Sequence, residues 1–230
     1  MQMNMNKPLL FKGYSNGWPA LHHWSWEYFA DLKETMIDLY DHHGDFVCKN
    51  LLSEFVRQID STKLYASGWR FYLEHPEMKS HFSEPEFSRH DCLKKIPATC
   101  FLELLWIFIG GRGTGTSLHQ DVLGSHAWLS IIDGKKLMAL HPPEDFSTCM
   151  EEKIIESECV LESGFGKGHW QFFELNPGDL IFIPSLWWHA ARNECKTIAL
   201  TRNFVSEDIK QKATEHLYGN KLNHLVSYLE

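Results

Sequence analysis

The sequence predicts a mainly β protein with flanking helices, in which many short strands form a closed barrel or a double sheet of the jelly-roll kind. Residues 101–205 hold repeated apolar segments of strand length, and turns rich in glycine and proline separate them. Helical patterns stand before and after this region. We therefore expect a single domain over residues 1–230, with supporting strands and helices in 1–100, the barrel core in 101–205 and helices in 206–230.

The N-terminal elements are predicted from apolar patterning and from capping and turn residues. Ser25 is a typical helix N-cap, so we expect a helix that runs from there to about Tyr40. The other elements expected before the barrel are an edge strand over 7–13, a strand over 45–49, a helix over 51–59, a strand over 64–71 and a helical turn over 76–81.

The barrel core contains one strong local signal. Asp133-Gly134 lies between apolar segments at 128–132 and 135–140, a pattern that predicts a two-residue hairpin. The remaining strands are expected at 101–109, 117–121, 170–175, 180–184 and 197–204.

Two terminal helices are expected, over 207–218 and 222–229. Their apolar positions form a stripe that pairs two subunits into a homodimer or packs against the chain's own barrel, and both arrangements stay open. The stripe consists of Leu217, Leu222, Leu225, Val226 and Leu229.

Composition excludes several classes of function. The net charge is −8, and no run of Lys or Arg stands out, so general nucleic-acid binding and attachment to anionic membranes are not expected. The N-terminus does not have a secretory signal pattern, and no apolar run is long enough to cross a bilayer. The six scattered cysteines then suggest reduced thiols in a cytoplasmic protein, or a nuclear one in a eukaryote.

His119-Gln120-Asp121 is the most informative motif. Residues i and i+2 of a strand point to one side, so His119 and Asp121 would aim an imidazole and a carboxylate at one point. Such a triplet alone also occurs by chance, as a loop or a satisfied core histidine. His189, beside two tryptophans that exclude water, supplies a third ligand from a distant strand. Two histidines and one carboxylate that leave other positions open suit Fe(II) and oxygen chemistry.

An Fe(II) oxygenase of this kind also needs an electron source. If that source is 2-oxoglutarate, its far carboxylate requires a buried cation together with hydroxyl or amide donors. Lys136 lies on an otherwise apolar strand, where a ligand carboxylate would explain its presence, although a solvated lysine at a hairpin mouth fits the pattern as well. Thr116, Thr201 and Asn203 are candidate hydrogen-bonding residues of the same pocket, and ordinary barrel-interior bonding is their alternative. Arg202 and Arg112 are the fallback cations.

Several segments resemble the JmjC-domain, or cupin-like, 2-oxoglutarate oxygenases, and in particular their small hydroxylase branch, of which the lysyl hydroxylase of splicing factors is the nearest pattern. The resemblance spans nearly the whole chain. The segments that carry it are Gly113-Thr114-Gly115-Thr116-Ser117-Leu118-His119-Gln120-Asp121, Leu123 to Trp128, Gly134-Lys135-Lys136, Asn176 to Asp179, Trp188-His189 and Thr197 to Phe204.

This resemblance implies a double-stranded β-helix of the cupin type. It implies that His119, Asp121 and His189 bind Fe(II), and that Thr116, Lys136, Thr201 and Asn203 hold 2-oxoglutarate. The implied reaction consumes O2, produces succinate and CO2, and hydroxylates a protein or peptide side chain or a small amino-acid-like substrate. The alternatives are N-methyl-lysine demethylation by the same chemistry, a metal-binding cupin of another class, and a non-catalytic binding or scaffolding module.

Two positions depart from the family pattern. Leu129 stands where an asparagine commonly contacts the cosubstrate, so that contact is missing or is replaced by Ser130 or Trp128. A pocket tyrosine from an upstream strand is expected to be Tyr65 or Tyr72.

Overall fold

The computed structural model of the chain describes residues 4–145, 169–219 and 222–229. Within these ranges the chain is built around two antiparallel sheets. The strands are β1 Leu9–Phe11, β2 Met36–Tyr40, β3 Phe46–Leu51, β4 Tyr65–Trp69, β5 Leu105–Gly110, β6 Gly115–His119, β7 His126–Asp133, β8 Lys136–His141, β9 Gln171–Leu175, β10 Leu180–Ile183, β11 Trp188–Asn193 and β12 Thr197–Phe204. The α-helices are α1 Ala20–His23, α2 Trp26–Asp31, α3 Leu52–Arg57, α4 Lys210–Gly219 and α5 Val226–Leu229.

The two sheets differ in size and share one interior. The larger has eight strands in the order β1-β10-β7-β12-β5-β4-β2-β3, and the smaller has four in the order β6-β11-β8-β9. Leu129 and Ile181 of the larger sheet belong to the same buried cluster as Met138 and Leu140 of the smaller. The facing sheets therefore enclose an apolar core, which confirms the predicted jelly-roll class.

The outer face of the larger sheet is covered by N-terminal aromatic residues. Trp128 of β7 lies 5.8 Å from Trp18, measured between ring centroids, and 6.2 Å from Phe82. Trp24 and Phe29 are almost fully buried in the same cluster. Because both faces of β7 are covered, every one of its residues from 126 to 132 is buried, and the strand does not alternate in polarity.

The helix predicted from Ser25 to about Tyr40 is only partly correct. Ser25 does cap a helix, and its hydroxyl accepts a hydrogen bond from the backbone N–H of Tyr28 at 3.2 Å. However, α2 ends at Asp31, and β2 begins at Met36. Ile37 and Leu39 are buried while Met36 and Asp38 are exposed, the period of a strand rather than of a helix.

The hairpin predicted at Asp133-Gly134 is wrong. The strands β7 and β8 lie in different sheets, because β7 pairs with β10 and β12 whereas β8 pairs with β11 and β9. The dipeptide instead carries the chain from one sheet to the other. Gly134 has φ +87°, and a Cβ there would clash with the backbone oxygen of Lys196, so the position requires glycine.

The other predicted elements are found with shifted ends. In particular, the strand expected over 117–121 begins earlier and ends at His119, which leaves Asp121 in the following turn. The helical turn Pro76–His81 is a 3₁₀-helix, and the C-terminal helices are present.

The terminal apolar stripe packs within the chain. Leu217, Leu225 and Leu229 have no exposed surface and join a cluster with Leu104 and Val205. Whether two chains associate remains a prediction. Within the described ranges, no helix is long and apolar enough to span a membrane. Four cysteines are free thiols, while Cys149 and Cys159 lie outside the described residues.

Candidate metal centre

Two neighbouring strands of the smaller sheet bring the three predicted ligands together. His119 is the last residue of β6 and pairs in register with His189 of β11, and their ring centroids lie 4.1 Å apart. Asp121 follows in the turn after β6, and its Oδ2 lies 3.8 Å from His189 Nε2. One ligand atom from each residue fits within 4.8 Å of the others. The structure thus forms the predicted cluster, although Asp121 reaches it from a turn.

Backbone carbonyls orient both imidazoles. Nδ1 of His119 lies 2.8 Å from the carbonyl oxygen of Ser117, and Nδ1 of His189 lies 3.0 Å from that of Trp187. When Nδ1 donates its proton to these carbonyls, Nε2 keeps a free lone pair for a metal. Burial and the neighbouring imidazole lower the pKa of His119 to about 4. That ring is therefore uncharged near neutral pH and able to coordinate.

The donor set fits a divalent cation. Asp121 Oδ2 is buried and has no hydrogen-bond partner among the described residues. An unpaired buried carboxylate oxygen is costly, and a cation between the two imidazoles would compensate it. Two nitrogens and one carboxylate oxygen on one side of a metal would leave its remaining positions open, which suits Fe(II).

A cavity of about 240 Å³ extends from this cluster between the two sheets. Its inner end is closed, since Lys136 is 1% and Tyr65 2% exposed, whereas Val122 on its rim is 53% exposed. Besides the three candidate ligands, its lining comprises Tyr65, Ser67, Gly68, Trp106, Phe108, Thr116, Val122, Ala127, Leu129, Lys136, Met138, Ile183, Ala191, Thr201 and Asn203. All four residues predicted to hold a cosubstrate are in this lining.

Lys136 is a buried cation without an anionic partner among the described residues. Its Nζ donates to Asn193 Oδ1 at 2.6 Å and to the hydroxyl of Tyr65 at 3.3 Å, and both partners are neutral. Burial lowers its pKa to about 7. A carboxylate arriving from a ligand would supply the missing negative charge. The alternative of a solvated lysine at a hairpin mouth is therefore wrong.

Asn193 was not among the residues predicted from the sequence, although a signal for it existed. It lies four positions after His189 on the same strand, so both side chains share one face. Of the two candidate tyrosines, Tyr65 lines the cavity, whereas the hydroxyl of Tyr72 donates to the backbone oxygen of Glu103. Tyr65 is the pocket tyrosine.

The remaining predicted polar residues differ in what they can offer. Thr116 shares a side-chain hydrogen bond with Tyr65 beside Lys136. The Thr201 hydroxyl donates to the backbone oxygen of Trp128 at 2.7 Å, so in this arrangement its proton is directed away from the cavity. Nδ2 of Asn203 donates to Ser125 Oγ at 2.9 Å, and this bond fixes the orientation of the amide.

Both fallback arginines are excluded as pocket cations. Arg202 points to the opposite face of β12, where it is 3% exposed, and Arg112 is exposed on the surface. The Arg202 guanidinium is surrounded by three carboxylates: Glu84 at 2.9 Å, Glu103 at 3.1 Å and Asp91 at 3.5 Å.

Leu129 lines the cavity as an apolar residue, and neither proposed replacement for the missing asparagine reaches it. Trp128 lies in the aromatic layer on the other face of β7. Ser130 lies 2.7 Å from Ser15, measured between the two hydroxyl oxygens, and donates to the backbone oxygen of Asp179. Asn193 is instead the amide that contacts Lys136.

Fold and cluster together define a double-sheet β protein with an interior centre of two histidines and one carboxylate. The sequence matches the family model described as a cupin-like domain over residues 2–209. The chain therefore belongs to the cupin-like domain family, and the resemblance noted from its motifs is confirmed.

Three curated relatives show what the chain is similar to. The arginine-specific demethylase JMJ22 of Arabidopsis thaliana is 27% identical over 96% of this chain and 46% of its own length. The bifunctional arginine demethylase and lysyl-hydroxylase psr-1 of Caenorhabditis elegans is 26% identical over 86% of this chain and 56% of its own. The 2-oxoglutarate and iron-dependent oxygenase JMJD4 of Danio rerio is 26% identical over 62% of this chain and 36% of its own length. The chain thus spans about half or less of the length of these relatives.

Proposed function

We propose that the protein is an Fe(II)- and 2-oxoglutarate-dependent dioxygenase that hydroxylates a protein or peptide side chain or a small amino-acid-like substrate. The observation that carries this proposal is the presence, in one cavity, of two complementary sites. One is the cluster of His119, Asp121 and His189, whose carboxylate is unsatisfied. The other is the buried Lys136, which has only neutral partners among the described residues.

Each side chain has a defined task in this proposal. The three cluster residues hold the metal by one side, so that its other positions stay open to the keto acid and to O2. Lys136, positioned by Tyr65 and Asn193, binds the far carboxylate of the cosubstrate. When bound, the iron would activate O2 with 2-oxoglutarate as the two-electron donor, so that one oxygen atom enters succinate as CO2 is released and the other enters a C–H bond of the substrate.

The walls of the cavity exclude water. Leu129, Met138 and Ile183 are almost fully buried around the cluster, and they strengthen the electrostatic attraction between Lys136 and a bound carboxylate. Because Leu129 stands where the family has an asparagine, the part of the cosubstrate next to Leu129 would be in apolar contact. Asn203, on the neighbouring strand β12, is an amide in the same cavity lining.

Relatives named as 2-oxoglutarate and iron-dependent oxygenase and as lysyl-hydroxylase support this chemistry. Demethylation is the second candidate, because the arginine-specific demethylase of Arabidopsis thaliana aligns with 96% of this chain. Both reactions begin with hydroxylation of a carbon atom, and demethylation then releases formaldehyde from an N-methyl group. Simultaneous measurement of formaldehyde and of the stable mass increase of one oxygen atom in the substrate separates them.

The experiment that tests the proposal measures succinate formed from 2-oxoglutarate by the Fe(II)-loaded protein in air. We expect slow formation without substrate, and its loss in His119→Ala and Asp121→Ala. His43→Ala removes an exposed histidine outside the cavity and serves as the matched control. Full succinate formation in His119→Ala would refute the assignment. No succinate in the wild type, with metal bound, would favour another cupin chemistry or a binding module.

A further inference from the structure

The outer end of the cavity is built differently from the end that holds Lys136. It is formed by Ser67 and Gly68 of β4, Trp106 of β5 and Val122 on the turn after Asp121. All four are at least partly exposed. Val122, at 53%, is the most exposed residue of the lining, so we expect a substrate to enter past this wall, which we call the outer wall.

A β-bulge shapes the outer wall. Ala66 pairs with Ile109 and Trp69 with Ile107, so β4 advances three residues between these pairs while β5 advances two. Gly68 in the bulge has φ +87°, and a Cβ there would lie 3.5 Å from Trp106 Cδ1. Because glycine has no side chain, β4 does not cover the Cδ1–Nε1 edge of the Trp106 indole at this position. The bulge thus leaves this edge open in the cavity lining.

The charges around this surface are unfavourable for a cation. Among the described lining residues, Asp121 is the only carboxylate, and the proposed function commits it to the metal. The Arg70 guanidinium already lies over the Trp106 ring, 5.8 Å from its centroid. A second cation at this ring would gain no carboxylate partner and would be repelled by Arg70.

Apart from Lys136 and the candidate metal ligands, the polar side chains of the cavity lining are neutral. In the outer wall, the Ser67 hydroxyl has no hydrogen-bond partner among the described residues. The buried Asn203 amide, elsewhere in the lining, uses its Nδ2 toward Ser125. A hydroxyl and an amide oxygen can satisfy an amide or urea group. They cannot balance the charge of an ammonium or a guanidinium group in a site with apolar walls.

We propose that the outer wall binds the reacting side chain of the substrate and that this side chain is uncharged. The inference rests on the proposed function and restricts its substrate class: a lysine or an arginine, methylated or not, is excluded as the reacting residue. An aliphatic or amide-bearing side chain packed against the free edge of the Trp106 indole fits the wall. Basic residues elsewhere in a protein substrate are compatible with the negative net charge of the chain.

The test uses matched pairs of small probes that differ in charge. The N-acetyl N-methylamide of norleucine is compared with that of lysine, and the citrulline derivative with the arginine derivative. Binding is followed by ¹⁹F NMR of protein labelled with 5-fluorotryptophan, and Trp106→Phe assigns the resonance. The protein is loaded with Zn(II), which has no redox chemistry, and with 2-oxoglutarate, so no turnover interferes.

We expect the neutral member of each pair to shift the Trp106 resonance with a dissociation constant at least about ten-fold lower, about 1.4 kcal/mol, than its charged partner. Ser67→Asp should reverse this preference by adding a carboxylate to the outer wall. Ser67→Asn introduces a side chain of the same size as aspartate but without charge, and it should not reverse the preference. Both variants keep the metal and cosubstrate residues unchanged.

Two outcomes would overturn the inference: a lysine or arginine derivative that binds as tightly as its neutral partner, or no shift of the Trp106 resonance with any probe. Calorimetric titration of the same Zn(II)-loaded protein with 2-oxoglutarate separates the two levels of the proposal. If 2-oxoglutarate binds and the charge preference is absent, only the outer-wall inference fails. If 2-oxoglutarate does not bind, the proposed function fails.

Discussion

Lys136 provides a quantitative prediction, because its charge should change when the cosubstrate binds. Burial lowers its pKa to about 7, and the only cause of the shift is loss of solvation. At pH 8 about one molecule in ten therefore carries the charged amine. A carboxylate placed against Nζ favours the charged form and raises this pKa. Binding of 2-oxoglutarate at pH 8 should then be accompanied by uptake of nearly one proton from the buffer.

The assay is calorimetric titration of the Zn(II)-loaded protein with 2-oxoglutarate at pH 8 in two buffers of different ionisation enthalpy. The difference in heat gives the number of protons taken up. Lys136→Met should show almost no uptake and weaker binding. Lys135→Met is the matched control, since that neighbour is 38% exposed and pairs with Glu174 on the surface. Uptake near zero in the wild type, or unchanged uptake in Lys136→Met, would refute the role of Lys136.

The same lysine should make the stability of the metal-free protein depend on pH. Its folded-state pKa of about 7 lies below the ordinary value of 10.5. Between these values the unfolded chain binds a proton that the folded chain does not, so the free energy of unfolding rises with pH. The slope from one proton is about 1.4 kcal/mol per pH unit. Urea unfolding of wild type and Lys136→Met at pH 7.5 and pH 9.5 should show this difference, and parallel pH profiles would contradict it.

Two further predictions concern the scaffold that positions the site. Arg202→Met should lower the free energy of unfolding by about 3–5 kcal/mol, because three carboxylates lose their buried cation, whereas Arg112→Met on the surface should change it by less than about 0.5 kcal/mol in urea unfolding. Equal effects would contradict the assigned burial. Gly115→Ala would place a Cβ against the backbone oxygen of Ala191, where β6 pairs with β11, and should weaken Zn(II) binding about 10- to 100-fold. Gly17→Ala is the control, because a Cβ at Gly17 would have no atom within 4 Å, and it should leave the Zn(II) affinity unchanged. An equal loss of Zn(II) affinity in both variants would contradict the β6–β11 register that brings the two histidines together.

The candidate ligands could be found from the sequence because the evidence for them is local. His119 and Asp121 are two residues apart, and His189 follows a recognisable pair of tryptophans. Lys136 could be found because a lysine in an apolar strand is unusual in itself. These features do not depend on knowing which strands pair.

The wrong predictions fall where non-local pairing decides the fold. Asp133-Gly134 has the composition of a hairpin turn, but both edges of β7 are occupied by distant strands, and the chain has to cross to the other sheet. The helix extended to Tyr40 failed for a similar reason: β2 forms by pairing with β3 and β4. Sequence could not choose Tyr65 over Tyr72, because the choice depends on the pairing of β4 with β5.

Asn193 could have been predicted from the sequence, because alternation along the strand places its side chain on the same face as that of His189. The metal-ligand pattern around His189 gives no reason to select an asparagine, whereas a buried Lys136 does. A buried lysine needs an acceptor, and the same-face positions of the strand that pairs with β8 are where that acceptor belongs. A lysine in an apolar strand thus predicts an amide or hydroxyl on a neighbouring strand.

The most direct test of the account is the visible absorption spectrum of the Fe(II)-loaded protein, recorded without oxygen before and after addition of 2-oxoglutarate. Chelation of iron by the keto acid produces a charge-transfer band in the visible region. We predict that the band appears in the wild type, is absent in His119→Ala, and requires more 2-oxoglutarate in Lys136→Met. A wild-type protein that binds Fe(II) but shows no band at saturating 2-oxoglutarate would contradict the proposed pairing of metal and cosubstrate.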